Sequence, residues 1–158
     1  MKCSTLRALL CSLVIVGGAV QSVFAEDGAA LFSSHCVACH QAGGVGAPGL
    51  APSLAGTLGT RISTGAGRDY LTQVLITGLN GPIKSQGQNF NGFMPSFAQL
   101  SDSDLAAVLN DVLKEFNSQA KPAGYKPLTA EEFATARQKK LTVGAVRTLR
   151  VQSEPEGR

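Results

Sequence analysis

Cys36 and Cys39 stand two residues apart and are followed at once by His40. A C-x-x-C-H run suits covalent attachment of a haem. On one helical turn both thiols can reach the vinyl groups along one porphyrin edge and form thioethers. The next residue then projects an imidazole under the iron as proximal axial ligand. Three other chemistries compete for these residues. A zinc site needs a fourth ligand, yet past residue 25 there is no further cysteine and only one other histidine, His35. A thioredoxin-like dithiol wants a strand ahead of it and a Rossmann-like alternation around it, and neither pattern is present. A plain disulfide on a surface turn is the bland alternative. The spacing favours haem c, one per chain.

A low-spin electron-transfer haem needs a sixth ligand, commonly His or Met. His35 adjoins Cys36 and cannot swing to the opposite face of the ring, so it reads as an exposed helix residue. Of the two methionines, Met1 belongs to the leader described next, which leaves Met94. It lies in a loop just before Pro95, which stiffens its backbone. A methionine is ordinarily a filler of core gaps; elimination here favours ligation. The expected metal ligands are therefore His40 and Met94.

These residues must be carried by a small exported domain. Residues 1–7 are a basic stub, 8–20 an apolar run, and Val23 and Ala25 are the small residues a signal peptidase reads. The run is shorter than the ~20 residues a membrane span needs, so a cleavable signal peptide over 1–25 is expected, with the periplasm as destination and no span afterwards. Cys11 follows Leu9 and Leu10 rather than a small residue, which argues against a lipoprotein. Past the leader, 133 residues remain, enough for one domain with a modest core. Residues 26–116 carry a net charge of −3 and residues 117–158 one of +4, a weakly acidic domain with a basic extension. No dense basic stripe of a nucleic-acid binder is present.

The elements follow from periodicity and caps. Glu26 and Asp27 open a helix through Leu31 and Phe32 into the cysteine motif. Gly28 and Phe32 share a face, and the glycine leaves room for a second helix to cross. Residues 41–67 are rich in Gly, Pro, Ser and Thr and read as a long loop, which a ligand would organise. Residues 68–79 read as a second helix with Tyr70, Leu71, Val74 and Leu75 on one face. A further loop over 83–92 leads to Met94. Ser101 and Asp104 announce a third helix, whose stripe runs Leu105, Val108, Leu109, Val112, Leu113, Phe116. Beyond a linker over 119–126, Thr129 with Glu132 opens a short helix to Lys140, Thr142 begins another to Arg150, and 152–158 reads as frayed. The extension is expected to fold only by docking, with Phe133 and Leu149 supplying most of the energy.

Taken in order, Cys36-Val37-Ala38-Cys39-His40, then Pro52-Ser53-Leu54, then Asn91-Gly92-Phe93-Met94-Pro95 and the apolar helix 105–116 resemble a bacterial class I cytochrome c over roughly residues 27–116. Residues 90–97 are similar to a run found in small cytochromes that serve periplasmic dehydrogenases or oxidases. The resemblance implies an all-α fold of helices and loops wrapped around one covalent haem. It implies that the Pro52 carbonyl accepts from His40, that Leu54 packs on the haem, and that Asn91 donates to the Met94 sulfur. Phe90 stands where that family carries Tyr, and Asp111 where its last helix carries an aromatic, so Phe116, Leu109 and Val112 are expected to cover the surface around Gly28 and Phe32.

The function that follows is single-electron transfer between redox partners, a periplasmic dehydrogenase, oxidase or reductase, with no catalytic residue of its own. It could act as a free carrier or as a dedicated haem subunit. A small haem enzyme, a peroxidase or a sulfur-compound oxidoreductase, would want an open iron position or a distal acid–base pair. A five-coordinate gas sensor would have no use for Met94.

Overall fold

A computed structural model describes residues 27–120 and 122–154. The expected leader over 1–25 lies outside the described residues. Among the described residues no helix is long and apolar enough to cross a membrane.

Helix α1 (Gly28–His35) is capped by Asp27, whose carboxylate accepts from the Ala29 N–H at 3.2 Å and satisfies a donor the first turn leaves open. Cys36 breaks it, and a single further turn, α2 (Val37–His40), carries the rest of the motif. The chain then runs through two 3₁₀ turns to α3 (Gly65–Thr77). That helix starts three residues ahead of the expected 68 because Thr64, accepting from the Gly67 N–H at 3.0 Å, is its cap. Tyr70, Leu71, Val74 and Leu75 are buried along it, as the spacing predicts. Helix α4 (Asp102–Glu115) is capped by Ser101, which accepts from the Asp104 N–H at 3.1 Å and donates to its carboxylate at 2.6 Å. Its stripe, Leu105, Val108, Leu109, Val112 and Leu113, is buried as predicted.

Helices α1 and α4 cross at Gly28. A Cβ there would sit 2.5 Å from the Ala107 carbonyl oxygen and 2.7 Å from the Asp111 Cβ, so no larger residue fits the crossing. With Asp111 at the crossing, Phe116 supplies the aromatic contact instead, edge-on to Phe32 with ring centroids 5.1 Å apart.

The segment 83–92 is not the plain loop the sequence suggests. Ile83–Ser85 (β2) and Gln88–Phe90 (β3) form an antiparallel hairpin. Outside it, Leu79–Asn80 (β1) pairs antiparallel with Phe93–Met94 (β4), Leu79 opposite Met94. Ladders of two or three residues are too short to show an alternating pattern, which is why composition alone reads as loop here.

The C-terminal extension docks on α3 and α4. Helix α5 (Ala130–Gln138) opens with the reciprocal Thr129–Glu132 capping box, and α6 (Val143–Gln152) with Thr142. At nine and ten residues both fall below the ~12–15 that isolated helices need in water, so packing must hold them. Phe133 and Val146 are fully buried at 0 % and Leu128 is nearly so, whereas Leu149 is only partly covered. Val146, not Leu149, is thus the second anchor, and each fully buried side chain contributes ~1.5–3 kcal/mol. Ion pairs follow the opposite charges of the two segments: Arg137–Asp102 at 2.5 Å and Lys139–Asp69 at 2.8 Å. The Lys139–Asp69 pair is exposed and adds ~0–1 kcal/mol, and the Arg137–Asp102 pair is partly buried. The end is not frayed as far as it is described. Ser153 is buried, accepts from the Arg61 guanidinium, and donates to the Arg150 carbonyl at 2.8 Å.

Candidate haem site

The motif is built on one turn. The N–H groups of Cys39 and His40 both donate to the Cys36 carbonyl, at 3.2 and 2.9 Å, which sets the two thiols and the imidazole on a single turn. His40 is buried, with Nδ1 3.0 Å from the Pro52 carbonyl. With the proton on Nδ1 the ring donates to that carbonyl and leaves Nε2 for a metal. Burial pushes the His40 pKa below its usual value, only partly opposed by the Pro52 carbonyl. The neutral ring is the ligating form. Pro52 is itself held in place by its neighbours: the N–H groups of Leu54 and Ala55 donate to the Gly44 carbonyl at 2.7 and 3.1 Å, and the Gly46 N–H donates to the His40 carbonyl at 2.8 Å.

Cys36 and Cys39 are half-buried and are not joined to each other as a disulfide. Burial first, and then the neighbouring Cys39, push the Cys36 thiol up to about 11. A redox dithiol needs the opposite shift, since its attacking sulfur must be a thiolate near neutral pH. Among the described residues no group of three or more His, Cys, Asp or Glu side chains could hold a metal ion.

Met94 is placed by the end of α3. The Ser96 hydroxyl donates to the Ile76 carbonyl at 2.5 Å and the Phe97 N–H to the Leu75 carbonyl at 2.8 Å, using acceptors that the last helical turn leaves open. The chain passes so close to Gly78, φ 79°, that a Cβ there would lie 2.6 Å from the Met94 carbonyl oxygen. Both the dihedral and the approach demand glycine.

One cavity gathers these parts. Cys36, Cys39 and His40 line it, as do Pro52, Leu54, Phe90 and Met94, with apolar walls from Leu71, Val74, Leu75, Val108, Leu109 and Val112. It holds about 1340 Å³ of free space, open solvent at its mouth included. Asn91 is the expected site residue that does not line it; its side chain is exposed.

Comparison with known proteins shows the family. Residues 24–110 match the family model described as cytochrome c oxidase, cbb3-type, subunit III. One cytochrome c-552 of Thermus thermophilus is 43 % identical over 136 residues, spanning 86 % of this chain and 89 % of its own length. A second Thermus thermophilus cytochrome c-552 is 46 % identical over 116 residues, covering 73 % of this chain and 88 % of its own. The chain belongs to the class I c-type cytochromes.

The residues of this cytochrome fit the group its family implies: a thiol pair and an imidazole in one wall, a thioether sulfur in the same cavity, and apolar surface between. An alignment of 136 residues exceeds what precedes position 117, so the likeness runs into the extension. The cavity also holds residues that sequence reasoning missed. Arg61, Tyr70 and Arg150 line it, and the chain distance between the two arginines hides their proximity. Asn117, assigned to the extension, is 2 % exposed and stitches the cavity loop to α4. Its amide oxygen accepts from the Leu58 N–H at 2.9 Å, and its nitrogen donates to the Leu54 carbonyl at 3.0 Å and the Val112 carbonyl at 3.1 Å.

Proposed function

We propose that this cytochrome carries one haem c, bound through thioethers to Cys36 and Cys39, with His40 and Met94 as axial ligands, and passes single electrons between periplasmic redox partners. The haem supplies the Fe(II)/Fe(III) couple. The chain's own residues do the rest. The Pro52 carbonyl fixes the orientation of His40 and makes it a better donor. The anchored turn at 95–97 keeps the Met94 sulfur in the cavity, and a soft sulfur ligand favours Fe(II) and raises the potential. The apolar walls exclude water, which keeps the environment of the iron alike in both oxidation states. Leu50 and Phe93 line the mouth while 50 % and 71 % exposed, and they offer a partner an apolar rim through which an electron can pass. Export through the leader over 1–25 places this chemistry in the periplasm, facing a dehydrogenase, an oxidase or a reductase.

The observation that carries the reading is the single cavity lined by both the C-x-x-C-H turn and Met94. Met94→Ala tests it. The oxidised wild type should show the weak near-infrared sulfur-to-iron band; the variant should lose it, fall in potential and admit cyanide or carbon monoxide. An unchanged spectrum would place the sixth ligand elsewhere.

A second reading is a dedicated haem subunit of an oxidase or dehydrogenase complex, and the oxidase-subunit description of the matching family favours it. Gel filtration of the protein from its native membrane extract distinguishes the two: a free carrier elutes at its own size, a subunit with its complex.

A further inference from the structure

The two axial ligands proposed above sit on separate pieces of chain, His40 on α2 and Met94 on β4. Residues 46–52 reach both. At the foot of this segment the Gly46 N–H donates to the His40 carbonyl at 2.8 Å, and the Pro52 carbonyl lies 3.0 Å from His40 Nδ1. Gly46 packs directly on that end. A Cβ there, at φ 77°, would lie 2.6 Å from the Ser53 nitrogen and 2.7 Å from the Ala51 oxygen and the Pro52 carbonyl carbon. Between its ends the segment closes on itself. The Ala47 N–H donates to the Ala51 carbonyl at 2.9 Å, and the N–H groups of Leu50 and Ala51 both donate to the Ala47 carbonyl at 3.0 Å. At the tip, the Leu50 carbonyl meets the strand of the other ligand. A Cβ on Gly92, two residues before Met94, would collide with the Leu50 carbonyl oxygen. Leu50, Pro52, Gly92 and Met94 all line the cavity.

A turn whose backbone groups bond one another has little freedom left, and closely packed atoms pass a displacement on instead of absorbing it. Neither end of the segment has slack, because Gly46 and Gly92 stand where any side chain would force backbone apart. The contact at the tip is made by main chain, so it does not depend on the half-exposed Leu50 side chain. A displacement at Gly92 therefore runs through the Leu50 carbonyl and the closed turn to Pro52. The Pro52 carbonyl is the acceptor that orients His40.

We infer that residues 46–52 are a strap that couples the two axial ligands, with Gly46, Leu50 and Gly92 as positioning residues for His40 and Met94 together. This rests on the haem reading above. The strap makes the imidazole and the sulfur one mechanical unit, so a change at either ligand is felt at the other, as coupling between two sites must be. It keeps the two in register while the iron changes charge.

The test uses the oxidised holoprotein, with covalent haem first verified as the pyridine haemochrome and the sulfur-to-iron band recorded. A wild type lacking either sinks the haem reading and the strap with it; a wild type with both leaves the strap to stand or fall alone. Each ligand then has its own readout. The rate of cyanide binding reports on Met94, and solvent exchange of the His40 Nδ1 proton, followed by NMR, reports on His40. Gly92→Ala acts on the Met94 side and should speed exchange of the His40 proton as well as cyanide binding. Ser53→Ala acts on the His40 side, where the hydroxyl donates to the Gly44 carbonyl at 3.2 Å and accepts from the Ala55 N–H at 3.1 Å. It should speed cyanide binding as well as exchange. In the double variant the cyanide rate should depart from the product of the single effects by more than about twofold, the factor that the smallest interaction energies between contacting sites give. Phe133→Ala lowers stability from outside the site and should move neither readout. If Gly92→Ala does not mature, Ser53→Ala, which only removes an oxygen, decides by its effect on cyanide binding. Single variants that each move only their own ligand's readout, with a double variant that multiplies them, overturn the proposal. So does a Phe133→Ala protein that moves both readouts, since general loosening would then account for the effect.

Discussion

The cavity loops and the C-terminal extension are held by different means. Around the cavity, position is set through the backbone: the Pro52 carbonyl on His40, the Gly44 carbonyl on Leu54 and Ala55, and the turn at Ser96 and Phe97 bonded to the end of α3. The extension instead drives in two apolar side chains, Phe133 and Val146, and trims its edges with ion pairs. The contrast teaches that mutations in the two regions should separate. A change in the cavity loops should disturb ligation at modest cost in stability, and a change in the extension should cost stability and leave ligation alone.

The sharpest challenge to that division is Phe133→Ala. Emptying a fully buried aromatic site should cost ~3–5 kcal/mol, read as a lower denaturation midpoint, while the near-infrared sulfur-to-iron band stays. Loss of the band would show that α5 supports the ligands after all. Gly78→Ala is the converse. Its dihedral is one that essentially only glycine adopts, at a cost of ~1–3 kcal/mol for any other residue. The added methyl also meets the Met94 carbonyl. We expect a weakened band and faster cyanide binding; a variant that is destabilised but spectrally normal would break the comparison.

What is legible in the sequence lies on the same divide. The C-x-x-C-H turn, the Ser101 and Thr129 caps and the α4 stripe are local patterns, and each stands where its pattern places it. The start of α3 is hidden because Thr64 and three glycine or alanine residues look like loop, although Thr64 caps the helix. Asn117, Arg61 and Arg150 are hidden for another reason. Their long-range partners lie 59 to 92 residues away along the chain, and only the closed fold brings them together. The thin apolar content of the extension is plain from its residues, but its two anchors are not, since which of Val146 and Leu149 faces α3 depends on docking angle.

Asn117→Ala sits between the two regions. It strands the buried Leu58 N–H, which costs ~1–3 kcal/mol, and should loosen the Leu54 loop, seen as faster amide exchange at Leu54 and Leu58. Normal exchange at both would remove its bridging role.

The acid side offers a milder test. Arg68 holds the Glu132 carboxyl below its usual pKa, against the opposing effect of burial. The stability from that pair is therefore present above the ordinary carboxylate range and is lost as pH falls through the depressed value. Stability should drop on acidification in that window, and Glu132→Gln should flatten the drop; an identical acid limb in the variant would rule the pair out as its source. Least of all, Lys139→Ala removes an exposed pair with Asp69 and should change stability by less than ~1 kcal/mol. A larger loss would mean that charge, and not burial, holds the extension.

The most direct test of the central claim is the mass of the oxidised protein after acid–acetone treatment. One covalent haem on Cys36 and Cys39 predicts that the colour stays with the protein and that denaturing mass spectrometry gives the chain plus one haem. A colourless protein at the mass of the bare chain, with the haem in the acetone, would contradict it.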